Sequence, residues 1–119
     1  MSLIKEIAII TALLALVDLP YLTLVASKAF RPMIMNIQGS PLVFRLAAAI
    51  PVYIALAYLL TLASNWRQAA LIGGATYAVY DFTNYATLKD YTLGFALQDT
   101  TWGAVLFGLV YKLKVYLGF

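Results

Sequence analysis

Four apolar stretches, separated by short polar breaks, organise the chain. They run from about 7 to 26, 42 to 63, 68 to 88 and 95 to 117. Each is close to the ~20 residues that a helix needs to cross the hydrocarbon layer of a bilayer. In lipid the backbone must satisfy its own hydrogen bonds, so each stretch is expected to be a helix. Pro20 and Pro51 fall inside two of them and predict bends of the kind that transmembrane helices tolerate. The expected fold is all-α: a membrane-spanning, antiparallel four-helix bundle forming a single domain over residues 1–119.

The breaks differ in character. The longest, from Ala26 to Pro41, carries Lys28, Arg31, Pro32, Asn36, Gln38 and Gly39 among Phe30, Met33, Ile34, Met35 and Ile37. That mixture predicts a short amphipathic piece lying at the interface. Ser64 to Arg67 and Lys89 to Gly94 read as tight connections. Four crossings place both termini on one side, with Lys5, Arg67, Lys112 and Lys114; Lys28, Arg31, Lys89 and Arg45 fall on the other. Short-loop basic residues orient a membrane protein. Here they are almost balanced, leaning toward cytoplasmic termini, and a dual topology gives nearly the same count. Lys5 followed by an apolar run resembles a signal peptide. The run exceeds the roughly 7–15 residues of such segments, and Leu16 to Tyr21 lacks a small-residue cleavage pattern, so the first helix is expected to be retained.

Composition strengthens the membrane reading. Hydrophobic residues make up 64% of the chain and charged residues 11%, against roughly 45–50% and 25% in soluble domains. A small soluble domain has too little interior to hide that much apolar surface. There is no cysteine and no histidine. Thiol nucleophiles, iron–sulfur clusters, thiolate zinc sites, histidine haem ligation and histidine base catalysis are thereby excluded. No enzyme activity is expected, and no particular cofactor is indicated. The net charge of +3 is scattered, without the basic stripe that nucleic-acid binding needs. The expected partners are membrane lipids, with a homodimer or other membrane subunits as further possibilities.

Candidate chemistry centres on acidic residues inside the apolar stretches. A carboxylate at mid-bilayer costs roughly 2.5–3.5 kcal/mol on insertion scales and is usually turned inward and paired. Helical rise puts Asp18 and Asp81 near mid-membrane, with Asn84 one turn further on and Asp99, Trp102 and Arg45 in the first turns of helices starting from that side. Tyr77, Asp81, Asn84 and Leu88 share one face, and so do Asp99, Trp102, Gly103 and Leu106. Ala70, Gly74 and Ala78 form a small-residue seam suited to close helix contact. The candidate ligand-binding residues are therefore Asp18, Arg45, Tyr77, Asp81, Asn84, Asp99 and Trp102. Two readings stand. Arg45 could neutralise one aspartate, with Asp99 the favoured partner, in a purely structural network. Alternatively, three carboxylates exceed what one arginine neutralises, and the remainder hold a proton, a cation or a small polar ligand.

Asp18-Leu-Pro-Tyr-Leu-Thr-Leu also echoes Asp81-Phe-Thr-Asn-Tyr-Ala-Thr-Leu, as a parallel internal repeat would. The string from Tyr77 to Leu88, then Asp99-Thr-Thr-Trp-Gly, resembles the domain of unknown function 2177 family of small four-helix membrane proteins. Asp18 with Tyr21 and Leu22, the Phe30 region and the run from Phe44 to Tyr53 carry the same resemblance, while Pro51 departs from it. The resemblance implies the four-helix fold and a polar site at Asp18, Asp81, Asn84, Asp99 and Trp102. It implies no activity. The function expected is that of a small multi-pass transporter or ligand-binding membrane protein; the alternatives are an accessory or assembly subunit of a membrane complex, or a lipid- or pigment-binding protein.

Overall fold

The computed structural model describes residues 1–119, and every regular element in it is helical. Ser2 starts α1 (Leu3–Pro20) by accepting a hydrogen bond from Lys5 N–H. Pro20 has no N–H to donate, and the helix widens directly after it into a π-helical turn, Tyr21–Ala26. Thr23 and Ser27 hydroxyls donate to the Leu19 and Thr23 carbonyls in this stretch, at 2.9 and 2.8 Å. The chain continues without a break into α2 (Ser27–Gln38), which ends at Gly39, whose φ of 72° suits glycine in a C-terminal cap.

The Ala26–Pro41 segment forms the expected short amphipathic helix as far as Gln38, and that helix is continuous with the first one over the 36 residues Leu3–Gln38. Its polar residues lie on one face, while Met33 is buried and Phe30 and Ile37 pack inward against Tyr91 and Phe95. Periodic polarity preserved the helix instead of ending it.

Residues 40–45 are not helical, and α3 spans Leu46–Thr61, four residues later than the expected start. Asn65 caps α4 (Trp66–Thr87) by accepting from Gln68 N–H, while the Gln68 side chain accepts from Ser64 N–H. Thr92 caps α5 (Leu93–Tyr116) in the same way.

α4 and α5 form an antiparallel hairpin with almost no space between them. A Cβ at Gly73 would collide with the Gly103 carbonyl and the Phe107 ring, and one at Gly103 with the Tyr77 ring. Gly74 meets Ala104, and Gly108 meets Ala70, so the expected small-residue seam is part of this contact. α1 runs antiparallel to both α3 and α5.

Two apolar clusters result. One joins Ile10 and Leu14 to Leu56, Ala57, Leu60, Ala69, Leu106, Phe107 and Val110. The other joins Tyr21, Ala26 and Met33 to Tyr91, Phe95 and Ala96. The outside is as greasy as the inside: Leu16, Leu24, Val43, Phe44, Leu71 and Val79 are all more than 60% exposed. Such a surface is stable against lipid and unfavourable in water. By length and composition two helices, Leu3–Gln38 and Leu93–Tyr116, suffice to cross a membrane. α3 is apolar but has only 16 residues. α4 has 22 residues and a more polar sequence.

Candidate functional site

Between the two apolar clusters lies a polar layer. Asp18 comes from the last turn of α1, Asp81 from the C-terminal half of α4 and Asp99 from the second turn of α5. Asp81 is fully buried, and Asp18 and Asp99 are at most 9% exposed. These residues reach one layer because α1 and α4 run parallel to each other and α5 runs against both. Trp102 packs against both clusters and closes the layer between them.

Each carboxyl group is held by neutral donors. Asp18 accepts from Tyr53 Oη–H on α3 at 2.5 Å and from Trp102 Nε1–H at 2.7 Å. Asp99 accepts from Tyr21 Oη–H at 3.0 Å, and the Tyr21 ring stacks on Trp102 with centroids 4.5 Å apart. Asp81 Oδ1 accepts from Tyr91 Oη–H at 2.7 Å. Tyr91 follows the turn after α4, and burial, then its bond to Asp81, raises its phenol above the ordinary value. It therefore stays a proton donor to Asp81.

Asp81 Oδ2 has no such donor although it is entirely buried. The Asp81 carboxyl lies beside the Asp99 carboxyl. Two ionised carboxylates can only accept, so a hydrogen bond between this pair needs one of them protonated. No lysine or arginine neutralises the layer: the single ion pair in the protein joins Lys114 to Glu6 at 3.1 Å, on the far side of the first cluster.

The structure thus brings Asp18, Asp81, Asp99 and Trp102 into one connected layer. Tyr77 sits beside it, half-buried, with its ring against Gly103. Asn84 is half-buried next to the Tyr80 and Tyr91 hydroxyls. Arg45 is not part of it. It precedes the first turn of α3, is exposed, and makes no ion pair with Asp99 or any other acid. The expected Arg45–Asp99 pair fails because residues 40–45 are not helical and Arg45 stays exposed ahead of α3.

Three ligands of the aspartates were not among the sequence candidates: Tyr21, Tyr53 and Tyr91. Tyr21 was legible, since it shares the Asp18 face of the first helix. Tyr91 lies in a turn, and its burial depends on the meeting of α2 with α5, which no local pattern announces. The echo between the Asp18 and Asp81 strings does not extend to roles. Tyr21 is buried on Asp99, while its counterpart Tyr85 is exposed.

Asp18 also faces outward, to an open groove of about 720 Å³ bounded by α1, α2, α3 and α4. Arg45 stands at one end of this groove, and Tyr53, Tyr77 and Tyr80 line it near Asp18.

The family of predicted membrane proteins known as DUF2177 matches residues 3–115, and the chain belongs to it. No curated protein and no solved structure matches it. The protein is therefore an all-helical membrane protein, and what it does must be argued from the aspartate layer.

Proposed function

We propose that this protein binds and releases a proton at the Asp81–Asp99 pair, and that it moves protons or a proton-coupled solute across the membrane. One observation carries the reading: a fully buried Asp81 oxygen without a donor, facing a second carboxyl group, in a layer that contains no cation. Burying carboxylates in an apolar bundle is costly, and hydrophobic residues of similar volume would hold the helices together at least as well. A purely structural layer would be expected to pair its charges. No group of three or more acidic side chains is arranged to hold a metal ion, and Asp18 is already occupied by Tyr53 and Trp102. A proton is accordingly favoured over the wider set of cations and polar ligands.

The layer also offers a route. Tyr91, Asp81, Asp99 and Tyr21 line up as neighbouring exchangeable groups, and Trp102, stacked on Tyr21, holds Asp18 at the groove beside them. The test is proton flux in reconstituted vesicles that enclose a pH-sensitive dye, driven by a potassium-diffusion potential. Wild-type protein is expected to acidify or alkalinise the lumen according to the sign of the potential. Asp81→Asn keeps the size of the side chain but removes the exchangeable proton, and should abolish the flux while the protein stays folded. Undiminished flux in Asp81→Asn would overturn the proposal.

A further inference from the structure

The groove beside Asp18 has a different chemistry from the aspartate layer, and we infer that it is a binding site for one acyl chain of an anionic phospholipid whose head group is held by Arg45. The inference goes beyond proton handling and does not depend on it.

The walls are apolar: 12 of the 15 lining residues are hydrophobic, among them Leu22, Ile34, Ala49, Val52 and Leu56. From Arg45 at the rim to Leu56 the α3 wall rises about 16 Å, close to half of the ~30 Å hydrocarbon layer. One leaflet's acyl chain fits that length. The groove is open along its side, so a chain can enter from the bilayer without leaving lipid. Ala48 and Ala49 keep it wide at the Arg45 end, where larger side chains would close it.

Charge selects the head group. Arg45 is exposed and has no acidic partner, so its guanidinium is free to form paired hydrogen bonds with a phosphate. Asp18, the groove's other charged group, lies at the opposite end and already accepts two hydrogen bonds. The rim is held in place, because Gln38 Nε2 donates to the Ser40 and Pro41 carbonyls at 3.1 and 2.9 Å. Near this end α3 begins without a side-chain cap, which leaves free N–H groups and a favourable dipole on the same side as Arg45.

Trp102 reports on the site, since its indole N–H bonds Asp18 at the groove floor. In a Trp66→Phe background it is the single tryptophan. The protein is reconstituted in phosphatidylcholine vesicles containing either phosphatidylglycerol or phosphatidylcholine with brominated acyl chains, and fluorescence quenching is titrated. Brominated phosphatidylglycerol is expected to reach half-quenching at roughly fivefold lower mole fraction, the worth of one basic residue near an anionic surface. Arg45→Gln should bring the ratio to about one. Ala49→Phe should weaken quenching by both lipids, and Asp81→Asn should leave the ratio unchanged. Equal quenching by the two lipids in the parent protein would overturn the inference, and so would a preference that survives Arg45→Gln. Arg45 is exposed, so that variant remains informative even if Ala49→Phe does not fold.

Discussion

Replacing Asp99 with asparagine should make the protein more stable while it stops working. The Asp99 carboxyl accepts from Tyr21 with Oδ1 and lies beside Asp81, whose buried Oδ2 has no donor; on the proposed reading the two groups face each other. In Asp99→Asn, Oδ1 can still accept from Tyr21, and Nδ2 becomes a permanent donor to Asp81 Oδ2. The wild-type contact depends instead on a proton that can leave. When it leaves, a buried acceptor loses its donor, at a cost of about 1–3 kcal/mol, and two like charges face each other. Asp99→Asn is therefore expected to unfold about 1–3 kcal/mol later than wild type in alkaline medium, where the wild-type pair gives up its proton. In acid the difference should shrink toward zero. Equilibrium unfolding in mixed micelles, followed by circular dichroism across pH, reads this directly. Asp99→Ala is the control, because it loses the Tyr21 bond without supplying a donor, and it should be destabilised at every pH. If Asp99→Asn falls below wild type together with Asp99→Ala, Asp81 Oδ2 is not aimed at Asp99 and the reasoning is refuted.

Four further outcomes follow from the packing. Gly103→Ala should cost about 1–3 kcal/mol through collision with the Tyr77 ring, more than the ~1 kcal/mol that alanine gains in helix propensity. Gly94→Ala, with open space around the new Cβ, should be neutral or slightly stabilising in the same unfolding assay. A double-mutant cycle of Arg45→Gln with Asp99→Asn should give a coupling energy near zero, since Arg45 has no acidic partner; coupling above about 1 kcal/mol would restore the pair read from the sequence. Lys114→Met should destabilise by about 1 kcal/mol by stranding Glu6, whose side chain keeps 28% of its exposure. Adding Glu6→Gln should recover most of that loss in the unfolding assay.

The helices were readable because lipid-compatible composition and helical spacing leave few alternatives. Asp81, Asp99 and Trp102 were readable because polar residues at one depth in apolar stretches must meet. The errors arose where tertiary contacts overrode local signals. Lys28, Arg31 and Pro32 looked like a break, but Phe30, Met33 and Ile37 pack on Tyr91 and Phe95 and carry the helix through. Arg45 looked like the first turn of a helix, yet the chain is not helical until Leu46, which leaves Arg45 exposed and out of the layer. Lys114 counted only as one of the basic residues on the side of the termini, and its partner Glu6 lies 108 residues away, beyond the reach of any sequence pattern. The tyrosines are the clearest case. They are common in helix packing, and only the assembled layer distinguishes Tyr21, Tyr53 and Tyr91 as donors to carboxylates.

The central claim is that Asp81 and Asp99 share an exchangeable proton inside an apolar bundle. Infrared spectroscopy of the reconstituted protein tests it most directly, through the carbonyl stretch of a protonated carboxylic acid and its shift on exchange into deuterium oxide. Wild type is expected to show such a band at neutral pH, and to lose it in alkali. Asp81→Asn and Asp99→Asn should each lack it. A band that persists in both variants would place the proton elsewhere, and the absence of any protonated carboxyl band in wild type from acid to alkali would contradict the account.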